Sequence, residues 1–170
     1  PGFGGSCFKK DILNLVYLCR PQSKGYITLK SSDPNDDPLM YPNYFSVEQD
    51  LIDTRNGLRE ARRVFMQPVF DEYRGEELKP EKNIDINNDH ELDQWIRETG
   101  ETLYHPVGTC KMGIDEFAVT NEHGQVHGTE SLRVVDASLM PSLIAGNTNA
   151  PTIMMAEKIS DHINGNSFLG

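Results

Sequence analysis

Apolar residues in this chain gather in a few short runs separated by long polar, turn-rich stretches. After the glycine-rich start at residues 1–8 and the pair Lys9-Lys10, the run Ile12, Leu13, Leu15, Val16 and Leu18 reads as a tight loop opening a helix. Turn residues from Arg20 to Gly25 then place a boundary near Cys19. Tyr26-Ile27-Thr28-Leu29 is β-prone with rough alternation, and Ser32 to Pro38 is a loop, because its prolines and Asx side chains favour local turns over ladders. Ser46 with Gln49 forms a capping-box pattern ahead of a helix whose Leu51, Leu58, Ala61 and Phe65 fall near one face, and Pro68 ends it. Asn88 and Glu91 offer a second cap, before a helix that carries Leu92, Trp95 and Ile96 and stops by Gly100.

The second half is punctuated by glycine from Tyr104 to Gly113 and by turn signals from Asn121 to Gly128. Leu132-Arg133-Val134-Val135 reads as a buried strand ending at Asp136. Pro141 to Asn149 is a loop, and Pro151 suits the first turn of a helix whose Ile153, Ala156, Ile159 and Ile163 share a face.

Composition narrows the classes of partner. The 170 residues suit one compact domain or part of a larger protein, and 16 Lys+Arg against 26 Asp+Glu give a formal charge of −10. Such a chain repels nucleic-acid phosphates and anionic membrane surfaces, leaving small molecules or proteins as partners. No apolar run approaches the roughly 20 residues that span a bilayer, and the amino terminus lacks a signal-peptide pattern, so cellular location is left open. Cys7, Cys19 and Cys110 are an odd number without C-x-x-C spacing, which suggests reduced thiols rather than a disulfide framework or zinc cluster. His90, His123, His127 and His162 lie in polar or turn contexts with no metal-site spacing, and the acidic stretch Asp33 to Asp37 reads as a solvated loop.

Two blocks carry more specific chemistry. One is Tyr104-His105-Pro106-Val107-Gly108-Thr109-Cys110-Lys111-Met112-Gly113. The other runs from Leu132 through Asp136-Ala137 to Pro141 and continues through Gly146-Asn147-Thr148-Asn149-Ala150-Pro151-Thr152 to Glu157-Lys158. In this order and separation they resemble the closing blocks of the glucose-methanol-choline (GMC) oxidoreductases, and the resemblance extends back through Asn43-Tyr44 and Arg20 to Gly25, covering roughly residues 20 to 164.

An imidazole titrates near neutral pH, so His105 has the chemistry to accept a hydroxyl proton while hydride leaves the adjacent carbon; taken alone, it equally suits an ordinary, partly buried histidine bonded to backbone. Asn147 donates and accepts hydrogen bonds but is no base, and by itself suits a turn or cap. The resemblance implies that His105 faces a flavin as the active-site base and that Asn147 orients the alcoholate. It also implies FAD as cofactor, a small-molecule alcohol as substrate, and Asp136 and Ala137 near the diphosphate and ribityl region. Asn149, Pro151 and Thr152 are implied on the cofactor side, at a helix start whose amides and positive dipole end favour negative charge; capping that helix is compatible with the same positions.

Residues 1–19 differ. Gly2 to Asp11, followed by Ile12 to Cys19, closely resembles the catalytic-cysteine segment of UDP-glucose dehydrogenases, where the position of Cys7 is a nucleophile assisted at the position of Asp11 while NAD takes hydride. No G-x-G-x-x-G dinucleotide fingerprint follows, and a glycine-rich turn with an inert thiol fits the same residues. The juxtaposition suggests a chimera, a recombined gene or a mis-spliced reading frame.

The expected class is α+β: a mostly antiparallel substrate-domain sheet with helices, plus a carboxy-terminal strand and helix that complete an FAD-binding α/β domain. The segments are 1–19, a substrate region at 20–131, and a cofactor-side strand-loop-helix at 132–170. The resemblance further implies an amino-terminal FAD-binding domain that this chain lacks. The alternatives are a catalytically silent isolated domain or chimera, and a fragment of a NAD-dependent UDP-glucose dehydrogenase using Cys7.

Overall fold

The computed structural model describes residues 20–75, 77 and 79–166. Cys7 and Asp11 lie outside the described residues. The chain forms two compact units, one from residues 20–25 and 42–101, the other from residues 26–41 and 102–166.

In the first unit, helix α1 (Glu48–Phe65) has Glu48 and Asp50 in its first turn and Arg62 and Arg63 in its last, the charge order its dipole favours. Its start corrects the expected capping box. Val47, not Ser46, is the N-cap, with no side-chain cap bond, and the Gln49 amide turns forward to Asp53. The chain enters the helix one residue later than the Ser46 pattern requires, so that serine stands too early to cap. Helix α2 (Asp89–Thr99) follows its cap pattern: Asn88 Oδ1 accepts the Glu91 amide at 3.3 Å, while Glu91 reaches back to the Asp85 amide at 3.0 Å. Leu51, Ile86, Leu92 and Ile96 form the buried core, with Phe45, Leu58, Ile84 and Trp95 packed around it. Burying each such aliphatic side chain contributes about 1.5–3 kcal/mol. Arg55 pairs with Asp93 at 2.7 Å between α1 and α2, and the Trp95 indole donates to Glu81 at 2.7 Å.

Asp50 ties residues 20–25 to this core. It is 2% exposed, and its two oxygens accept the amides of Gln22 and Ser23, each at 2.8 Å. Ser23 Oγ in turn accepts the Val47 amide. Burial pushes the Asp50 carboxyl upward, but the bonds from Gln22 and Ser23 outweigh it and hold the group below its ordinary value.

In the second unit, β1 (Tyr26–Thr28) pairs antiparallel with β2 (Leu39–Tyr41), opposing Tyr26 to Tyr41, whose rings stack at 4.7 Å. This two-stranded sheet is the regular sheet of the described residues, smaller than the mostly antiparallel sheet expected. The loop between the strands bears out a solvated acidic turn, with Asp36 paired to Lys30.

Leu132 to Val135 is not a buried strand. Leu132 is 55% and Val135 38% exposed, and the segment contributes a single bridge, Arg133 to Gln125. Its backbone bonds go to one side, with Val126 N donating to Leu132 O and Val134 N to Gly124 O. Three apolar residues and Arg133, paired on one edge alone, make neither a ladder nor a covered face.

Helix α3 (Asn149–Asn164) ends at Gly165 in the left-handed conformation that glycine favours. Its expected apolar face is mostly uncovered: Ile159 is buried, but Ile153 and Ile163 are more than half exposed. Burial follows the line where the 121–124 turn meets the helix, with His123 stacked on His162 at 3.6 Å. No described helix is long and apolar enough to cross a membrane.

Candidate active site

The histidine-bearing loop is shaped by backbone before any side chain acts. Tyr104 has φ +61° and Gly108 φ +87°, so the chain turns twice around His105, once at a non-glycine residue where that conformation is costly. Beyond Gly108 the loop is pinned: Cys110 N donates to Ser138 O at 3.1 Å, Met112 N to Leu139 O at 2.9 Å, and the buried Thr120 hydroxyl to Cys110 O at 3.2 Å. Ser138 and Leu139 belong to a short 3-10 turn, Ala137–Leu139, capped by Asp136, whose Oδ1 accepts the Ser138 amide at 2.8 Å. Leu139 is fully buried and anchors this turn.

The third segment is the start of α3. Asn147 is exposed and its Oδ1 accepts the Asn149 amide at 2.9 Å, an Asx turn leading into the helix. Thr148 is 8% exposed and is the N-cap, yet its side chain makes no cap bond. Its hydroxyl instead meets His105 Nδ1 at 3.3 Å. The Thr148 carbonyl is held by both the amide and the hydroxyl of Thr152, at 3.1 and 2.7 Å.

His105 is thus bonded to the residue next to Asn147, while Asp136 and Ala137 connect to the His105 loop through Ser138 and Leu139. Asn149 and Ala150 are exposed, and Pro151 and Thr152 half-buried, in the first turn of α3. Sequence reading missed Thr148, the pins at Ser138 and Leu139, and the stacked pair His123 and His162. The signal for Thr148 was present, since Pro151 at the third helical position removes an amide that a cap hydroxyl ordinarily serves. His127, another histidine with no assigned chemistry, bonds the Gly113 carbonyl at 3.1 Å. Among the described residues no three His, Cys, Asp or Glu side chains are grouped to hold a metal ion. A groove in the first unit, lined by residues including Glu48, His90, Asp93 and Arg97, contains none of these site positions.

The profile of the GMC oxidoreductases matches residues 21–156. The chain belongs to the GMC oxidoreductase family. Among its GMC relatives it is 52% identical over 146 residues to an oxygen-dependent choline dehydrogenase of Pseudomonas savastanoi pv. phaseolicola, a match covering 86% of this chain and 25% of that protein. It is 48% identical to the oxygen-dependent choline dehydrogenase of Escherichia coli O127:H6, covering 88% of this chain and 27% of the other. The chain therefore spans about a quarter of the length of these curated relatives. Pyridoxine 4-oxidase from Mesorbium loti is similar in structure, with TM-score 0.79 and 29% identity over 88% of this chain and 29% of that one. A formate oxidase of Aspergillus oryzae RIB40, studied for modification of its FAD, gives TM-score 0.80 and 29% identity over 87% of this chain and 26% of that one. The family match begins after residues 1–20, so a NAD-dependent reading at Cys7 rests on sequence alone.

At the start of α3 the Asn149 amide is taken by Asn147, Pro151 has no amide, and the Thr152 amide and hydroxyl are held by the Thr148 carbonyl. Compatibility with a flavin therefore rests on the helix's positive end rather than on a set of free donors. The positive end of a 16-residue helix and an exposed first turn suit a polar ring edge that gains negative charge on reduction. Asp136 is exposed with one oxygen engaged by Ser138, an acceptor suited to a ribityl hydroxyl rather than to a phosphate.

Proposed function

We propose that this chain is the carboxy-terminal catalytic and substrate-binding part of an FAD-dependent oxidoreductase that oxidises an alcohol to an aldehyde or ketone. In this reading residues 20–131 serve the substrate side, and residues 132–170 the cofactor side through Asp136, Ala137, Asn149, Pro151 and Thr152. Bound FAD supplies the hydride acceptor. His105 takes the hydroxyl proton, and Asn147, able to donate and accept but not to act as a base, orients the alcohol oxygen. The alcohol thereby loses one proton to His105 and two electrons with its carbon-bound hydrogen, which leaves a carbonyl.

The observation that carries this reading is the bond between His105 and Thr148, which brings the histidine block beside the Asn147 block in a chain half identical to choline dehydrogenases. Choline is accordingly the alcohol to test first. The complete enzyme, mixed anaerobically with choline, is expected to lose its visible flavin absorption, and to lose it more slowly with an uncharged alcohol of similar length. A complete protein that stays colourless with added FAD, or whose flavin no alcohol reduces, contradicts the reading.

A further inference from the structure

We propose that Thr148 is a positioning residue for His105, setting which imidazole nitrogen carries the proton. This rests on the reading of His105 as the base. At a helix N-cap a threonine hydroxyl ordinarily accepts an amide two or three positions on. Thr148 is followed at those positions by Ala150 and Pro151, and proline has no amide to offer. The neighbouring Asn147 has meanwhile taken the Asn149 amide. From its αR backbone (φ −78°, ψ −11°) the Thr148 hydroxyl makes no cap bond, and it meets His105 Nδ1 at 3.3 Å.

A hydroxyl is both donor and acceptor, so the pair has two possible polarities. Thr148 engages Nδ1, so Nε2 is the nitrogen open to an alcohol; a base role at His105 therefore requires a bare Nε2 and an Nδ1–H that donates to Thr148 Oγ1. With Nδ1 protonated, Nε2 is the bare nitrogen of the neutral ring and the one that takes the alcohol proton. Once it does, Nδ1–H of the imidazolium still points at the same oxygen, and the bond strengthens because its donor is now charged. Thr148 is itself fixed, since its carbonyl holds both the amide and the hydroxyl of Thr152. The position of the imidazole thus depends on a helix start that Asn147 immediately precedes.

The test is the tautomer of His105, read from ring-nitrogen chemical shifts of the ¹⁵N-histidine-labelled 170-residue chain above the range where imidazole titrates. The unsubstituted chain is expected to show protonated Nδ1 and bare Nε2. Thr148→Val, which keeps the shape and removes the oxygen, is expected to lose that preference, and Thr148→Ser to keep it. Bare Nδ1 in the unsubstituted chain overturns the proposal without need of any variant, as does an unchanged tautomer in Thr148→Val. In the complete enzyme, Thr148→Val is expected to slow flavin reduction about 10- to 100-fold, with Thr148→Ser restoring most of it. A tautomer that depends on Thr148, in an enzyme whose His105→Ala variant reduces flavin normally, would leave the positioning intact and remove His105 as the base.

Discussion

His105 Nδ1 and Thr148 Oγ1 meet at 3.3 Å across 43 residues of sequence, and this contact makes one site of two blocks that sequence placed far apart. The pins from Cys110 and Met112 to Ser138 and Leu139 hold the rest of the histidine loop against the Asp136 turn. Both depend on a backbone that turns sharply before and after the imidazole, which places the stability of the second unit upstream of its chemistry.

Gly124 shows how little room that unit has. A Cβ there would lie 2.5 Å from the Val134 carbonyl oxygen and 3.2 Å from Ile159 Cδ1, at φ +69°. Gly124→Ala is expected to destabilise the chain by about 2–4 kcal/mol, combining left-handed strain with overpacking. Gly128, at φ +76° with nothing within 4 Å of its Cβ position, carries the strain alone, so Gly128→Ala is expected to cost about 1–2 kcal/mol. Denaturant midpoints of the two variants measure the difference; equal losses would contradict the close approach of Gly124 to Val134 and Ile159.

In the first unit, Asp50 makes stability depend on pH in a defined direction. Its folded-state carboxyl sits below its ordinary value, so its contribution is present above the unfolded value of about 3.9 and is lost as pH falls through the folded one. Asp50→Asn, which exchanges a charged acceptor for a neutral amide, is expected to cost about 1–3 kcal/mol near pH 7. The gap between the two proteins should hold down to about pH 5 and narrow below about pH 4. Chemical denaturation across that range checks it, and a gap that widens in acid would reverse the sign assigned to Asp50.

How much of this was legible in the sequence depended on how local the cause was. Helix α2 was readable because Asn88 and Leu92, Trp95 and Ile96 act within their own few turns. The β1 strand was readable from Tyr26 to Thr28 for the same reason. Leu132 to Val135 misled, because a short run of three apolar residues around Arg133 states a preference but not the number of neighbours that cover it. Ile153 and Ile163 misled similarly, since helical spacing specifies a face but not the length over which a partner covers it. The family blocks, quoted around His105 and Asn147, were recognisable, whereas Thr148 showed only half of its signal, the amide that Pro151 withholds; the other half is a histidine 43 residues away.

The central claim, that His105 is the base, is tested most directly by rapid-mixing measurement of flavin reduction by choline in the complete enzyme, comparing His105→Ala with the unsubstituted protein. General-base catalysis is worth about two to four powers of ten, so reduction is expected to slow by that factor with the flavin still bound. Flavin that binds normally and is reduced at a near-normal rate would contradict it.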